Sequence, residues 1–428
     1  MSALAKFVSL YGYDVSGSDR LRGEEVENLA FYGVKVYIGA EADRLEIQTS
    51  DVVVYTDAID EDHPELRTAK RWEKRLLGRA ELLAMVCEEF PNTLAIAGSH
   101  GKTTCTSMCA HVFSYARVPF TAHIGGRDGE LGNFHSSGLE YFVTEACEYK
   151  KNLLKLRPQT GIVLNIDKDH MECYRDEQEL VDCFRKYCDS AKTAFVCADD
   201  DKCLTLGEYP TFGIKNTLAD YRAVDIYANG ERYAFTVEEY GRPLCRIKLN
   251  AIGRCNVYNA LAAFAGMRSF GFDEREIVKG LETFTVVKRR FEKIGKFHGA
   301  TCICDYAHHP REIASTVATA EGICKGRLYV VFQPHTYSRT KLLMKEFVKT
   351  LRGIKNLMLY KTYPAREKYD VEGSAETLSH MIGNCLYAEN VYVLKTWLKK
   401  TVKENDIVLF LGAGDVYYAA QYLLKELS

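Results

Sequence analysis

The feature that most constrains the fold is an alternation of short apolar runs with helical patterns. From residue 93 the strand patterns are "TLAIAG", "EYFVTEA", "TGIVLNID" and "TAFVCA". After about residue 295 a new series follows, with "ATCICD", "RLYVVF", "NLMLY" and "DIVLFLG". Helical patterns lie between these runs. Such alternation is typical of a largely parallel sheet covered by helices, so the sequence predicts an α/β fold.

The alternation falls into three blocks, which predict domains at residues 1–89, 90–294 and 295–428. A chain of 428 residues is too long for a single hydrophobic core. In the first block "ALAKFVSLYGY" is predicted as a helix, and "VKVYIG" and "DVVVYTDA" as strands. The run "RTAKRWEKRLLGRAELLAMVCEEF" is predicted as one helix with a basic face. In the second block, residues 221–250 alternate with a period of two around Asn229-Gly230, which predicts a β-hairpin.

Composition excludes several classes of protein. The chain is 47% hydrophobic and 27% charged, which is typical of a globular protein rather than a disordered one. A net charge of −2 gives no basic excess for binding nucleic acid. No apolar run approaches the ~20 residues of a membrane span. The 15 cysteines form no CxxC pair, and their scattered apolar placement predicts reduced thiols in a cytoplasmic protein.

The second block opens with a candidate phosphate loop between a strand and a helix. Its residues are Gly98, Ser99, His100, Gly101, Lys102, Thr103 and Thr104. The spacing GxxGK[ST] is two residues shorter than the usual P-loop. Backbone N–H groups in such a turn and at the following helix N-terminus favour an anion. We therefore expect Lys102 to contact phosphate oxygens and the Thr103 hydroxyl to face Mg²⁺; the alternative is an ordinary glycine turn.

Two other strands of this block end in polar residues. Glu145 follows the strand "YFVT", and the strand "IVL" is followed by Asn165, Asp167, Asp169 and His170. The carboxyl ends of parallel strands form the edge of a sheet where ligands bind. Glu145 is thus a candidate Mg²⁺ ligand opposite Thr103, and His170 a candidate ligand for a second cation. A surface carboxylate and a helix cap stay open as alternatives.

Amide and guanidinium groups occur towards the end of the block. Asn256 and Asn259 are three residues apart in "NVYNALAA", so they share one face of a helix and are candidates for pairing with an adenine or ribose. Arg289 and Arg290 stand near the junction with the third block, and guanidinium groups clamp phosphate through two-point contacts. Polar capping and exposed basic helix ends are the alternatives.

In the third block, four strand ends carry polar clusters. They are Asp305, His308 and His309 in "DYAHHP"; Gln333, His335 and Arg339 in "QPHTYSR"; Arg366 in "YPARE"; and Gly412–Asp415 in "LGAGD". The histidines match no metal-binding spacing, so we interpret them as hydrogen-bonding or charge-placing groups. Four such clusters in one block predict a substrate crevice.

Together these motifs resemble the Mur ligase family, the ATP-dependent ligases of peptidoglycan precursor synthesis. The similarity runs from Met1 to the C-terminus through "GSHGKTT", "NIDKDH", "NVYNALAA", "RRFE", "DYAHHPREI", "QPHTYSRT", "YPARE" and "LGAGD". The resemblance implies three α/β domains. An N-terminal Rossmann-like domain would bind a UDP-sugar, a central P-loop-type domain with a mixed sheet would bind ATP, and a C-terminal Rossmann-like domain would bind the amino acid.

The resemblance also implies cofactors, substrates and residue roles. ATP and Mg²⁺ would be the cofactors, and UDP-N-acetylmuramate and L-alanine the substrates, in a monomer or weak homodimer without nucleic-acid or membrane partners. ATP would be bound by residues 98–104, Asn256, Asn259 and Arg290, and the metal by Thr103, Glu145 and His170. The catalytic residues would be Lys102, His170, His308 and Arg339. The substrate-binding residues would be His308, His309, His335, Arg339 and Arg366.

The chain also departs from the family pattern. Relatives begin with a strand and a glycine-rich loop ending in "GMSALA", and this chain starts at the Met of that phrase, so we expect the UDP-binding loop to be missing from it. The family's "EADES" reads "EACEY", with Cys147 and Tyr149. Two alternatives stay open: a related ligase with another amino acid or peptide as substrate, and a catalytically impaired nucleotide-binding paralogue.

Overall fold

The structure is a computed structural model that describes residues 1–41, 44–229 and 232–427. The chain folds into two compact units. The first comprises Met1–Val224, Thr236–Ile247 and Tyr258–Phe284, and the second comprises Asp225–Phe235, Lys248–Val257 and Thr285–Ser428. The boundaries predicted at 89/90 and 294/295 stay a prediction.

Helices and strands alternate along most of the described chain. The helices are α1 (Ser2–Leu10), α2 (Glu24–Leu29), α3 (Leu45–Thr49), α4 (Pro64–Arg71), α5 (Arg79–Glu88), α6 (Lys102–Ala116), α7 (Glu177–Ser190), α8 (Asp201–Leu204), α9 (Arg254–Ser269), α10 (Glu274–Thr283), α11 (Pro310–Ile323), α12 (Tyr337–Leu342), α13 (Met344–Leu351), α14 (Ala375–Ile382), α15 (Val391–Thr401) and α16 (Val416–Leu427). Short 3₁₀ segments occur at Ala30–Tyr32, Tyr149–Lys155, Met171–Cys173 and Val371–Gly373. In the described ranges, no helix has the length and apolar character needed to cross a membrane.

The strands supply the sheets of both units. They are β1 (Ser16–Asp19), β2 (Lys35–Ile38), β3 (Val52–Tyr55), β4 (Arg75–Gly78), β5 (Asn92–Ala97), β6 (Phe120–Asp128), β7 (Gly132–Ser136), β8 (Tyr141–Glu145), β9 (Thr160–Val163), β10 (Thr193–Cys197), β11 (Thr211–Gly213), β12 (Tyr221–Asn229), β13 (Arg232–Glu239), β14 (Arg242–Leu249), β15 (Glu292–Phe297), β16 (Ala300–Asp305), β17 (Leu328–Phe332), β18 (Leu357–Tyr360), β19 (Leu386–Ala388) and β20 (Ile407–Leu411). The strands β12–β14 agree with the predicted period of two. Gly230 of the predicted turn lies outside the described residues.

The segment 67–90, predicted as one helix, is divided by strand β4. Helix α4 ends at Arg71, and Glu73 turns the chain with a φ of 50°. Strand β4 then pairs in parallel with β3, which places Leu76 and Leu77 opposite two valines. The prediction is wrong here because pairing with a distant apolar strand outweighs the local helical pattern.

The ten-stranded sheet, whose strands β5 to β11 lie in the first unit, places three loops side by side. In the described chain its strand order is β14-β13-β12-β11-β10-β9-β5-β8-β6-β7. Strand β5 lies between β8 and β9 and is parallel to both, whereas β7 is antiparallel to β6. The sheet is therefore mixed, as predicted. Because neighbouring parallel strands end at the same edge, the loops that follow Ala97, Glu145 and Val163 meet there.

Helix α6, which follows the phosphate loop, is held tightly inside the first unit. Every residue from Thr103 to Phe113 is buried, so the helix is surrounded by protein rather than lying on the surface. It packs closely on α10: a Cβ atom at Gly280 would lie 2.5 Å from the Cα of Val112. This contact requires glycine and fixes the position of the helix behind the loop.

The second unit is built on a six-stranded sheet in the order β15-β16-β20-β17-β18-β19. All neighbours are parallel except β15, which is antiparallel to β16. Alternate residues of the strands face two apolar cores. One includes Ile303 and Val330, and the other includes Cys302 and Val331. The parallel strands β16, β20, β17 and β18 end at one edge, where the loops with the predicted polar clusters begin.

Candidate functional site

The loop between β5 and α6 has the backbone geometry of an anion site. Gly98 and Gly101 have φ values of 129° and 89°, which side-chain-bearing residues rarely adopt. A Cβ atom at Gly101 would lie 2.5 Å from Oδ1 of Asn259, so the loop also has no room for a side chain there. Helix α6 begins at Lys102, and the N–H groups of its first turn have no acceptors within the helix. The predicted phosphate loop therefore has suitable geometry.

The loop after β9 braces this phosphate loop. The N–H groups of Ser99 and His100 donate to the backbone carbonyl and the Oδ1 of Asn165 at 3.0 and 2.8 Å. The Asn165 amide donates in return to the His100 carbonyl at 3.0 Å, and the N–H of Asp167 donates to the Ser99 hydroxyl at 2.8 Å. Asn165 and Asp167 thus help to hold the phosphate loop in shape. The helix cap considered as an alternative is instead Asp176, which accepts from the N–H of Glu179.

Lys102 is paired with Glu148, a residue that the sequence did not indicate. The ammonium donates to both carboxylate oxygens of Glu148, at 2.8 and 3.0 Å, and to the carbonyls of Ser99 and Gly98. The side chains are 14% and 1% exposed. Burial alone would lower the pKa of Lys102, but the charge of Glu148 and its hydrogen bonds raise the pKa above its ordinary value. Lys102 therefore stays charged at the loop.

Glu145, the predicted metal ligand, lies close to this pair, but its carboxylate contacts strand β6. Its Oε1 accepts from the N–H of Gly125 at 2.7 Å, and a Cβ atom at Gly125 would lie 2.4 Å from the same oxygen. The charge of Glu145 contributes to raising the pKa of Lys102. Thr103, its predicted partner, is 6% exposed. Their joint role in binding a metal stays a prediction.

His170 belongs to a group that fits a divalent cation. It has a φ of 55°, and its ring contacts that of Tyr149 with centroids 5.1 Å apart. One ligand atom each from Glu148, Asp169 and His170 lies within 4.8 Å of the others. Carboxylate oxygens with an imidazole nitrogen are donors that Mg²⁺ and related ions accept. The structure thus brings His170 together with Glu148 and Asp169 rather than with Glu145 alone.

The two predicted adenine ligands have different surroundings. Asn259 is buried against the phosphate loop, with its Oδ1 close to Gly101. The amide of Asn256 donates to the carbonyl of Ile252 at 2.7 Å, two residues before α9 begins. Adenine binding by either residue stays a prediction.

At the edge of the second unit, the structure brings His308, His335 and Arg339 together. The His335 ring stacks on Tyr363, with centroids 5.5 Å apart and an interplanar angle of 24°. Its Nδ1 lies 3.3 Å from a guanidinium nitrogen of Arg339, and its ring centroid 5.8 Å from that of His308. His308 in turn has its Nδ1 3.4 Å from a carboxylate oxygen of Glu312. The two imidazoles and the guanidinium form a polar cluster suited to a carboxylate ligand.

Other predicted residues of this edge have structural contacts. His309 is buried and accepts from the N–H of Arg311 through Nδ1, which makes it the N-cap of α11. Gln333 is completely buried and bonds to the Lys361 carbonyl, the Asp415 carboxylate and the N–H of Val416. The prediction that Gln333 faces a crevice is therefore wrong. Arg366 is exposed in the loop after β18, and its role stays a prediction.

The arginines at the start of the second unit surround Tyr306. The guanidinium of Arg290 lies 5.0 Å from the Tyr306 ring centroid, and that of Arg289 lies 4.8 Å from it. Arg289 also donates to the carbonyls of Gly412 and Gly414. Burial raises the pKa of the neighbouring Asp305 to about 6, although Arg290 opposes the shift. Arg290 is thus placed beside the strand end, and its contact with phosphate stays a prediction.

A cavity of about 500 Å³ opens beside the polar cluster of the second unit. Its lining residues include Tyr337, Lys361, Tyr363, Tyr387 and Asp415. Tyr363 is shared with the stacked His335.

Three models of one protein family match the chain. The Mur ligase family catalytic domain matches residues 1–91, the Mur ligase middle domain residues 96–267, and the Mur ligase glutamate ligase domain residues 289–414. UDP-N-acetylmuramate–L-alanine ligases from Clostridium tetani and Caldicellulosiruptor saccharolyticus are each 36% identical to the chain. The matches cover 99% and 100% of this chain and 95% and 96% of those proteins. The chain belongs to the Mur ligase family.

Solved structures agree with this assignment. UDP-N-acetylmuramate-alanine ligase MurC from Thermotoga maritima is 27% identical, with a TM-score of 0.85 over 100% of this chain and 96% of that one. A murein peptide ligase from Psychrobacter arcticus has 21% identity and a TM-score of 0.76, over 100% of this chain and 96% of that one, and it supports the fold alone. The predicted three-domain α/β architecture and the family resemblance are confirmed.

Proposed function

We propose that the protein is an ATP-dependent ligase that joins L-alanine to the lactyl carboxylate of UDP-N-acetylmuramate, in peptidoglycan precursor synthesis. The observation that carries the proposal is the phosphate loop with its buried, charged Lys102. This loop stands in a chain whose relatives, 36–38% identical over nearly their full length, bear that name.

The proposed first step is the attack of the lactyl carboxylate on the γ-phosphorus of ATP. A bond forms between a carboxylate oxygen and phosphorus, the bond to the bridging oxygen breaks, and ADP leaves with that electron pair. Lys102 would neutralise the charge on the phosphate oxygens, and the N–H groups at the start of α6 would orient them. The product is an acyl phosphate, whose phosphate is a far better leaving group than an oxide.

The proposed second step is the attack of the alanine amine on the acyl carbon. A tetrahedral intermediate forms, its bond to the phosphate oxygen breaks as the amide is made, and the proton lost by the nitrogen leaves with the phosphate as HPO₄²⁻. Arg339 would bind the alanine carboxylate, because a guanidinium offers two parallel donors to a carboxylate. His308 would help to hold the amine near the acyl carbon. This placement lowers the barrier by orientation.

One Mg²⁺ would be held by Thr103 and Glu145, and a second by His170, with Glu148 and Asp169 close to His170. When bound, the ion neutralises phosphate charge during transfer. The protein's own residues would fix where that charge is placed. ATP use follows from the family, and the choice of metal is part of the proposal.

A coupled assay tests the proposed function. The purified protein should release ADP only when ATP, UDP-N-acetylmuramate and L-alanine are all present. Lys102→Ala should lower this rate by at least about 100-fold, the size expected when a charged transition-state contact is lost. The matched control is Lys151→Ala. Lys151 is a lysine of the same region whose ammonium lies 2.7 Å from a carboxylate oxygen of Glu179 rather than at the phosphate loop.

The outcomes separate the alternatives. ADP release that is unchanged in Lys102→Ala would contradict the loop assignment. No ADP release with any amino acid, together with normal nucleotide binding, would favour a catalytically impaired paralogue. Faster turnover with a larger amino acid or a peptide than with alanine would favour a related ligase, and the 500 Å³ cavity makes that panel worth including.

The cellular setting is also part of the proposal. The cysteines of the described chain are all free thiols, which suits the reducing cytoplasm where ATP is made. A monomer or weak homodimer stays a prediction that sedimentation of the purified protein would test.

A further inference from the structure

Glu148 is the carboxylate paired with the lysine of the phosphate loop. It follows β8 by three residues, and it receives two hydrogen bonds from Lys102. The same ammonium also donates to carbonyls of the loop itself. The lysine is thus drawn across the loop by four acceptors, and Glu148 supplies two of them and the only full negative charge among them.

The backbone around Glu148 holds the carboxylate in place from several directions. Its carbonyl accepts from the hydroxyl of Tyr174. The next residues, Lys150 and Lys151, have φ values of 50° and 58°, and such left-handed backbone is strained for side-chain-bearing residues. The turn is anchored further by Asn152, whose amide donates to the Asp57 carboxylate at 2.8 Å. Strain of this kind persists only where the surroundings enforce it.

Glu145 and Glu148 have separate tasks in this arrangement. Glu145 is bonded to the N–H of Gly125 and points to β6. Glu148 is bonded to Lys102 and is nearly inaccessible to water. A buried carboxylate that faces a buried ammonium restricts both side chains to one geometry.

We propose that Glu148 is the positioning residue of Lys102: its carboxylate orients the ammonium across the phosphate loop before the nucleotide arrives. The inference rests on the proposed function, because the oriented ammonium serves the transfer of phosphate from ATP. Ground-state phosphate would be held by the N–H groups at the start of α6, because those of Ser99 and His100 already donate to Asn165. The orientation of Lys102 matters most when charge moves at the γ-phosphate, so Glu148 acts on kcat more than on KM.

The test compares Glu148→Gln, Glu148→Asp and a matched control, Glu179→Gln. Glu179 also pairs with a lysine of this region, Lys151, but not with the phosphate loop. We expect Glu148→Gln to lower kcat about tenfold or more, with the KM for ATP changed less than about threefold. Glu148→Asp keeps the charge and should recover most of the lost rate, whereas Glu179→Gln should leave both constants unchanged.

Each outcome decides the proposal. Melting temperatures of all variants are measured alongside the kinetics, because a purely structural role would lower stability without this split between kcat and KM. A wild-type kcat in Glu148→Gln, or no recovery in Glu148→Asp, would overturn it. If Glu148→Gln fails to fold, Glu148→Asp decides: a kcat close to that of the wild type supports the proposal, and a kcat about tenfold lower at an unchanged melting temperature overturns it.

The same kinetic measurements distinguish a failure of this inference from a failure of the proposed function. An active wild type with an equally active Glu148→Gln would sink the inference alone. A wild type that releases no ADP with any amino acid would sink the proposed function and with it the task assigned to Glu148.

Discussion

The positively charged side chains at the sheet edges of the two units have different partners. In the first unit Lys102 is buried against a carboxylate, so its position is fixed by charge pairing. In the second unit Arg290 lies over an aromatic ring, and Arg339 contacts an imidazole nitrogen. Similar edges of parallel strands thus carry an ammonium fixed by a carboxylate in one unit and guanidinium groups that contact aromatic or imidazole rings in the other. We expect the first to serve transfer of charge and the second to serve recognition of a carboxylate.

The largest effect that would sharpen this comparison is expected at Arg339. In Arg339→Leu the KM for alanine should rise about 100-fold, because a charge-assisted contact of about 2–3 kcal/mol is lost. The KM for ATP should stay unchanged. Steady-state kinetics with each substrate varied in turn measure both constants. The control is Arg352→Leu, since Arg352 bonds to the carbonyl of Met381 on the surface of the same unit. Equal rises in the two constants would break the proposed division between the edges.

A buried aspartate of the first unit should give the next largest effect. Asp128 is 1% exposed and accepts from the Ser107 hydroxyl and the N–H of Leu131, with His111 Nε2 at 3.1 Å. Asp128→Asn should lower the free energy of unfolding by about 2–3 kcal/mol, because the network loses its charged acceptor. Urea denaturation followed by circular dichroism measures it. The exposed Asp182, changed to Asn in the control, should have little effect.

The pH dependence of stability should have opposite signs for Asp128 of the first unit and Asp305 of the second. Although burial opposes it, hydrogen bonds from His111 and the backbone lower the pKa of Asp128 to about 2 from an ordinary 3.8. Its stabilisation is complete above pH 3.8 and is lost as the pH falls towards 2. Burial raises the pKa of Asp305 to about 6. The folded state therefore holds a proton that the unfolded state releases, and stability falls as the pH rises from about 4 to 6.

Asp305→Asn isolates that second contribution. The difference in unfolding free energy between pH 4 and pH 6.5 should shrink by about 2 kcal/mol relative to the wild type, because the shift of about two pKa units is removed. Urea titrations at the two pH values measure the difference. A variant with the same pH slope as the wild type would contradict the raised pKa of Asp305.

The smallest effect is expected from helix caps, which should be alike in the two units. Asn390 accepts from the N–H groups of Tyr392 and Val393 at the start of α15. Asp176 caps α7 in the first unit. Alanine at either cap should cost about 1 kcal/mol in the free energy of unfolding. A much larger loss at one of them would show that its helix end carries more than a local hydrogen bond.

Local pattern was sufficient for much of the fold and for part of the candidate site. Glycines between a strand and a helix predicted the phosphate loop, because strand, turn and helix signals are all read within a few residues. Polar residues after apolar runs predicted that His308, His335 and Arg339 would share an edge, since parallel strands end together. The family motifs added the three-domain architecture.

The residues that were missed depend on contacts between distant strands. Glu148 reaches Lys102 only because β8 lies beside β5 and the chain turns through left-handed residues, and neither fact is visible in "EACEY". Strand β4 lies within a segment whose local pattern predicts a helix, because its partner β3 is distant in the sequence. Gln333 is of a residue type that often binds ligands. It is buried here, and its amide donates to Asp415, a contact between residues distant in the sequence.

The glycine at position 280 has a consequence for the phosphate loop of the first unit. Because α10 touches the backbone of α6 at Val112, even one added methyl group would have to displace one of the two helices. Helix α6 is a rod of fifteen residues with Lys102 at its first position. We therefore expect Gly280→Ala to change the turnover rate by shifting Lys102, although residue 280 lies at the other end of the helix pair.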